Sequence, residues 1–356
     1  MSKLKGFKIG DLKIPTPIVQ GGMGIGISMS GLASAVANMG GIGVIATVGI
    51  GRAKNNDTRN YAKANIESLR SEIRRARELS KGVIGVNIMS VLTDFSEMVK
   101  TSIEEGIDVI FSGAGLPLDL PKYLNGAKTK LVPIVSSGRA AMLLCNKWKQ
   151  NFDFLPDAFV VEGPKAGGHL GFKAHQIESE SNRLEILVDE VLKVTQEIKE
   201  KFKKEIPVIA AGGIFSGKDV REILNRGAAA VQMGTRFVAT KECDASDEFK
   251  NAYLTAKKED IKIIKSPVGM PGRGIYNNFL EEAQNEQRRP KVCKHNCIRS
   301  CDPKTTSYCI SEALLSAYRG NLADGFAFVG ANAWMVDKIS TVPQVFADLK
   351  KEYNEA

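Results

Sequence analysis

Residues 206–214 read IPVIAAGGI, an apolar run that ends in two adjacent glycines. A short, continuously apolar run is typical of a strand that is buried on both faces of a parallel sheet. The residues that follow, SGKDVREILNRGA at 216–228, read as a helix. The stretch is therefore a predicted strand–helix unit with glycines at the end of its strand.

Further apolar runs repeat this pattern along the chain, each expected to be followed by a helix. They lie at residues 16–24, 41–47, 83–89, 108–115, 131–137, 158–164 and 229–238. Eight such units predict an α/β fold, a closed (β/α)8 barrel or TIM barrel. An open doubly wound sheet is the alternative, but it needs a topological switch point that the sequence does not show. The barrel is favoured because polar residues and glycines follow nearly every predicted strand, where barrel enzymes build their sites.

The regular alternation stops after the eighth predicted strand. We expect the barrel in residues 1–240, an insertion in 241–325 that forms a small lid over the barrel mouth, and a C-terminal helix in 326–356 that returns to the barrel. Within the insertion, residues 244–258 are predicted to be helical and 266–278 to form a loop. Arg273 and Tyr276 of that loop are candidates to face a substrate.

Composition and charge exclude several classes of protein. The chain has 356 residues, of which 43% are hydrophobic and 25% charged, as in ordinary globular proteins. The net charge of +9 favours anionic ligands. The sequence contains no basic patch interleaved with aromatic residues, so nucleic-acid binding is not predicted. The sequence contains no apolar run of about 18 residues, so no membrane span is predicted. Residues 1–17 lack the apolar core of a signal peptide. We therefore expect a cytoplasmic protein.

A second glycine pair precedes one of the three histidines. Residues 159–172 read FVVEGPKAGGHLGF, in which Gly167 and Gly168 stand before His169. Adjacent glycines leave backbone amides uncovered for a bound molecule, and an imidazole can move a proton near neutral pH. The alternative is a sharp turn with a merely hydrogen-bonded histidine. We take His169 as the candidate catalytic residue.

The ends of the seventh and eighth predicted strands indicate a phosphate site. Gly212 and Gly213 follow the seventh strand, and Gly234 and Thr235 follow the eighth, the position where barrels frequently bind phosphate. The alternative is that these glycines only mark turns. With the apolar GGMG of 21–24 and Asn87 across the mouth, a phosphate here favours flavin mononucleotide (FMN). A dinucleotide fold is not predicted, because no acidic residue ends the second predicted strand.

Five motifs in order resemble the nitronate monooxygenase (2-nitropropane dioxygenase) family, which includes the flavin-dependent enoyl-acyl-carrier-protein reductase II. The resemblance is strong over residues 15–239 and weaker over 325–349. The motifs are PIVQGGMG at 17–24, GVNIM at 85–89, VEGPKAGGHLG at 161–171, PVIAAGGI at 207–214 and VQMGTRF at 231–237.

The resemblance implies a role for each matching residue. His169 is the expected catalytic residue, which removes the proton next to a nitro group in nitronate enzymes and lies beside an enoyl thioester in the reductases. The expected FMN-binding residues are Gly22, Met23 and Gly24 against the ring, Asn87, Gly167, Gly168, and Gly212, Gly213, Gly234 and Thr235 at the phosphate.

Three functions remain open. The favoured one is an FMN-dependent nitronate monooxygenase that oxidises alkyl nitronates with O2 to a carbonyl compound and nitrite, because no nicotinamide-binding element is visible. The second is an enoyl-acyl-carrier-protein reductase II, with NAD(P)H as co-substrate and acyl carrier protein as a partner. The third is a non-catalytic flavin-binding module. A homodimer is the expected assembly.

The chain departs from the family pattern at one position. Where the family often has an acidic residue before Ala-Gly-Gly-His, this chain has Lys165. A cation close to His169 would disfavour the imidazolium and lower its pKa. We hypothesise that Lys165 steers an anionic substrate; the alternative is a lysine that points to solvent.

Cys293, Cys297, Cys301 and Cys309 form a cysteine-rich segment in the predicted insertion. A helix would place the first three along one face, because they are four residues apart. Their spacing matches no standard zinc or iron–sulfur arrangement. The alternative is that they pack as small buried hydrophobic residues. We assign no metal ligand from the sequence.

Overall fold

A computed structural model describes residues 4–54, 60–293 and 295–356, so the first three residues of the N-terminal stretch and Lys294 of the cysteine-rich segment lie outside it. Strands and helices are numbered in chain order. The strands are β1 (Phe7–Ile9), β2 (Leu12–Ile14), β3 (Ile18–Gln20), β4 (Ile42–Ala46), β5 (Val83–Met89), β6 (Val109–Gly113), β7 (Lys130–Val135), β8 (Phe159–Glu162), β9 (Gly168–His169), β10 (Val208–Ala211), β11 (Ala230–Met233), β12 (Ile261–Lys265) and β13 (Pro271–Ile275).

Eight of these strands close into a parallel barrel, and each of them coincides with one of the predicted runs, although β7 begins one residue earlier, at Lys130. Their order around the barrel is β10-β11-β3-β4-β5-β6-β7-β8, with β8 paired to β10. The closing register pairs Phe159 with Val208 and Glu162 with Ala211. Closure confirms the (β/α)8 barrel and excludes the open sheet.

Helices surround the barrel after most strands. They are α1 (Ser30–Asn38), α2 (Ile50–Lys54), α3 (Tyr61–Leu79), α4 (Phe95–Glu104), α5 (Gly138–Phe152), α6 (Leu184–Phe202), α7 (Gly217–Asn225), α8 (Thr235–Val238), α9 (Asp247–Thr255), α10 (Asn278–Gln284), α11 (Ile310–Tyr318) and α12 (Val342–Glu355). Local chemistry sets several of their starts; Ser216, for example, accepts a hydrogen bond from the Asp219 amide at the start of α7.

The expectation of a helix after every strand is wrong after β6. That connection carries a single 3-10 turn at Leu120–Tyr123. Its sequence, LPLDLPKY, contains Pro117 and Pro121, and a proline inside a helix removes a hydrogen bond and clashes with the preceding turn. The prolines therefore prevent a regular helix here.

A hairpin of β1 and β2 lies against one end of the barrel interior, and the sequence analysis did not predict it. Gly10 of its two-residue turn has φ +59°, a conformation that glycine adopts without strain. Ile9 and Ile14 are fully buried and pack with barrel residues that include Val44 and Phe111. The hairpin thus adds apolar packing to the barrel core.

The region after the barrel contains a three-stranded antiparallel sheet in the order β12-β13-β9. The predicted loop at 266–278 is therefore wrong over Pro271–Ile275, which forms β13. The physical reason is tertiary: β13 pairs with β9, so that Gly272 is opposite His169 and Arg273 is opposite Gly168. The sheet fixes the backbone of the candidate catalytic histidine.

The end of the chain packs on the barrel through α12. The Gly217 amide donates to Glu352 Oε2 at 2.6 Å, which joins α12 to the start of α7. The predicted helix at 244–258 is confirmed in its central part by α9, whereas the described residues 295–301 of the cysteine-rich segment are not helical. None of the described helices is long and apolar enough to cross a membrane. The boundaries at residues 240 and 325 stay a prediction.

Candidate active site

The carboxyl ends of the barrel strands surround a cavity of about 270 Å³. Every residue that was predicted from the sequence to be catalytic or to bind FMN lies in its wall. These residues are Gly22, Met23, Gly24, Asn87, Gly167, Gly168, His169, Gly212, Gly213, Gly234 and Thr235. The structure therefore brings the predicted residues together around one space.

One side of the cavity presents backbone amides without acceptors. Within the described part of the chain, the amides of Gly213, Gly234 and Thr235 donate no hydrogen bond. Gly212 and Gly213 have φ +100° and +86°, which only glycine adopts without strain. The turn is held in place because Asn332 Nδ2 donates to Gly213 O at 2.7 Å. Free amides at the end of two adjacent strands suit an anionic ligand.

The glycines of the first strand end have a steric role. A Cβ at Gly22 would lie 2.2 Å from Asn87 Cβ, and a Cβ at Gly24 would lie 2.0 Å from Val48 Cγ1. Side chains at these positions would collide with the cavity wall. Ser28 Oγ accepts from the Met23 amide at 2.9 Å and so fixes this turn.

His169 is held from two sides at the cavity wall. Its Nε2 lies 2.7 Å from Ser266 Oγ, and the Phe328 ring meets its ring edge-on at 5.0 Å between centroids. Burial lowers the pKa of His169 to about 4. The direction agrees with the prediction, but its cause is burial and not the charge of Lys165. The imidazole is therefore neutral at neutral pH.

Glu162 is a second titratable group in the cavity wall, at the end of β8. Burial raises the pKa of Glu162 to about 7. Its carboxyl group has no hydrogen-bond partner among the residues that the structure describes. A carboxyl group that changes charge near neutral pH can exchange a proton with a bound molecule.

Several residues of the site were not predicted from the sequence. Ser266 and Phe328 contact His169 from distant parts of the chain, and no local sequence pattern predicts these contacts. Gln232 and Glu162 lie at or next to the ends of barrel strands, so their positions could have indicated that they belong to the site. The residues of this group are Glu162, Gln232, Ser266, Phe328 and Asn332.

Arg273 and Tyr276 do not face the cavity, so that expectation is wrong. Arg273 is buried, and its Nη1 donates to the carbonyl oxygens of Pro164 and Ala166 at 2.5 and 2.7 Å. The Tyr276 hydroxyl lies 2.9 Å from Gln284 Oε1. Arg273 instead anchors the loop that leads to Gly167 and His169.

Replacing Arg273 by methionine is expected to lower the free energy of unfolding by about 1.5–3 kcal/mol, because charged hydrogen bonds to two buried carbonyl groups are lost. Urea unfolding measures this change. The matched control is Arg226→Met, which removes a partly exposed ion pair with Asp189 and should cost less than about 1 kcal/mol. Equal costs for the two variants would contradict the anchoring role.

A parallel barrel with a histidine and free amides at the carboxyl end of its strands has the architecture of a barrel enzyme. The chain belongs to the nitronate monooxygenase family, whose model matches residues 5–352. Its relatives are oxidoreductases.

Three proteins illustrate what this chain is similar to. An octahydro-indene carboxyl-CoA dehydrogenase of Mycobacterium tuberculosis is 29% identical over 77% of this chain and 67% of its own length. A probable nitronate monooxygenase of Staphylococcus aureus is 27% identical over 94% of this chain and 96% of its own. The structure of FabK from Thermotoga maritima has a TM-score of 0.74, with 29% identity, and covers 95% of this chain and 93% of that chain.

Proposed function

We propose that the cavity binds FMN and that the protein is a nitronate monooxygenase in which His169 serves as the base. The observation that carries this proposal is the neutral His169 ring, held at 2.7 Å by Ser266 in the wall of a cavity with free amides on another side. The relative from Staphylococcus aureus, which aligns along nearly the whole chain, supports the same reaction class.

The residues of the cavity fit FMN at both of its ends. The amides of Gly213, Gly234 and Thr235 would donate to the phosphate oxygens, and Thr235 adds a hydroxyl group. Met23 and Val48 offer apolar surface for the ring. When bound, the flavin supplies a two-electron acceptor that reacts with O2.

His169 would accept the proton from the carbon next to the nitro group. A protonated imidazole could not do this, and burial keeps the protonated form scarce at neutral pH. Ser266 Oγ also accepts from the Val268 amide at 3.3 Å, so its position is fixed by its own loop. When Nε2 donates to Ser266, Nδ1 is the nitrogen free to accept the substrate proton.

Anaerobic mixing of the FMN-loaded protein with possible reductants tests this proposal. We expect a nitroalkane and its nitronate to bleach the flavin absorbance, and NADH or NADPH alone to leave it unchanged. Bleaching by reduced nicotinamide alone would contradict the proposal and favour the reductase. Bleaching by none of these compounds would favour a non-catalytic flavin-binding module.

Glu162 and Lys165 support the second candidate function, an enoyl-thioester reductase. Reduction of an enoyl thioester needs a proton donor, and Glu162, with a pKa of about 7, holds a proton more readily than His169. Lys165 is exposed at the cavity, where its charge would attract a phosphate-bearing thioester or acyl carrier protein. The similarity to the FabK structure is compatible with this candidate.

Replacing Lys165 by glutamate tests whether this residue selects anionic substrates. We expect KM for a nitronate or an acyl-CoA to rise about tenfold, since an attraction between charges becomes a repulsion, while KM for a neutral nitroalkane stays the same. Steady-state kinetics at low and high salt measure both values. Lys173→Glu, at another exposed position, is the control. If the ratio of KM for the charged substrate to KM for the neutral substrate is the same in Lys165→Glu and the wild-type protein, the steering role is contradicted.

A further inference from the structure

Residues 328–332, which read FVGAN, connect separate parts of the cavity wall although they lie far along the chain from the barrel strands. The start of this segment is fixed by the region after the barrel. Phe328 O accepts a hydrogen bond from the Tyr253 hydroxyl of α9 at 2.6 Å, and the Val329 amide donates to Arg273 O of β13 at 3.1 Å. The segment therefore enters the cavity wall from a defined position.

The next residues of the segment bind the loops that follow β8 and β11. The Ala331 amide donates to Lys165 O at 3.1 Å, and the Gly330 amide donates to Thr235 Oγ1 at 3.2 Å. The Thr235 hydroxyl itself donates no hydrogen bond to any residue that the structure describes. Since a hydroxyl group can accept and donate at the same time, that of Thr235 keeps its hydrogen atom for an acceptor in the cavity.

Asn332 orients one peptide group of the loop after β10. Its Nδ2 donates to Gly213 O at 2.7 Å. The carbonyl and N–H groups of a trans peptide point in opposite directions, so this bond turns the Ile214 amide away from Asn332. Ile214 lines the cavity, and across residues 4–54, 60–293 and 295–356 its amide has no acceptor. Asn332 thus holds a peptide group whose N–H is free to bind an anion.

The loop after β10 depends on this contact from outside. Gly212 and Gly213 have no side chains of their own to pack, and glycine is free to adopt many backbone conformations. In the described part of the chain, Asn332 is the only side chain that forms a hydrogen bond with the backbone of residues 212–214. Without it, the Gly213–Ile214 peptide group can turn.

We infer that Asn332 is the positioning residue through which the 328–332 segment makes the cavity select a phosphorylated flavin over riboflavin. The inference rests on the proposed binding of FMN and deepens it. It concerns the phosphate end of the cavity alone, because the turn at Met23, on the ring side, is fixed separately by Ser28. The segment bonds to the two loops that carry the free amides, through Asn332 after β10 and through Gly330 after β11.

Fluorescence titration of the protein with FMN and with riboflavin tests the inference. We expect Asn332→Ala to raise Kd for FMN about tenfold and Kd for riboflavin less than about twofold, because only FMN carries the phosphate group. A general loosening of the cavity would weaken the binding of both flavins alike. The ratio of the two Kd values therefore separates positioning from a merely structural role.

Gly330→Ala is a second variant that acts through the other loop. A Cβ at Gly330 would lie 3.1 Å from Thr235 Oγ1, so that hydroxyl group must move. We expect Kd for FMN to rise about threefold, since one hydrogen bond to the phosphate is weakened, and Kd for riboflavin to stay the same.

The matched control is Asn277→Ala. Asn277 lies outside the cavity wall, and its Nδ2 donates to Leu322 O and Gly325 O at 3.0 and 2.8 Å. This variant should lose stability but keep both Kd values. Wild-type protein that binds FMN no more tightly than riboflavin would contradict the proposed phosphate site, and the inference with it. If the wild type prefers FMN and Asn332→Ala keeps that preference in full, only the inference is overturned.

Discussion

Replacing His169 by alanine is expected to lower kcat/KM for a neutral nitroalkane by about 10²- to 10⁴-fold, the usual contribution of a positioned general base. Oxidation of the corresponding nitronate should fall far less, because that substrate has already lost its proton. The two rates, measured by oxygen consumption with the same FMN-loaded enzyme, separate proton removal from the flavin reaction. A large loss with both substrates, or with neither, would contradict the assignment of His169 as the base.

The control for this experiment is His175→Ala, because His175 is exposed and lies outside the cavity. The pH dependence of the wild-type enzyme adds a second check. With a pKa of about 4, His169 is protonated only in acid, so kcat/KM for the nitroalkane should be constant above about pH 5 and fall as the pH drops through 4. A change centred near pH 7 would instead indicate Glu162.

The second large effect is expected from Gly212→Ala, which should weaken FMN binding at least about tenfold, or 1.4 kcal/mol. A Cβ at Gly212 would lie 2.8 Å from Gly163 O and 3.0 Å from Ala166 N. These are backbone atoms, so the turn itself must shift, and the Gly213 amide shifts with it. Fluorescence titration with FMN measures the change in Kd.

Gly227→Ala is the matched control for this variant. Gly227 has φ +109°, close to the +100° of Gly212, but its Cβ would meet only the flexible end of Leu192 at 3.3 Å. Both variants should lose about 1–2 kcal/mol of stability from the positive φ. Only Gly212→Ala should bind FMN more weakly than the wild-type protein does. Equal Kd values for FMN in the two variants would contradict the role of this turn.

The barrel could be predicted from the sequence because each of its strands is a short apolar run buried on both faces. The β1–β2 hairpin was also within reach, since Gly10 and Asp11 separate the alternating runs FKI and LKI. The β12-β13-β9 sheet could not be predicted from the sequence. It depends on pairing between Gly168–His169 and Pro271–Ile275, about a hundred residues apart, and no local pattern specifies such a pairing.

The same division applies to the site. The glycines and His169 could be predicted because they stand at strand ends, where a barrel fold brings them together. Ser266 could not, since it lies between β12 and β13 and reaches His169 only because β13 pairs with β9. The low pKa of His169 was expected for the wrong reason, because sequence shows a neighbouring Lys165 but does not show burial.

A crystal structure of the protein with FMN tests the central claim most directly. We expect the phosphate group within hydrogen-bond distance of the amides of Gly213, Gly234 and Thr235, and the flavin ring between Met23 and His169. A phosphate group elsewhere in the cavity, or a ring that His169 cannot approach through a bound substrate, would contradict it.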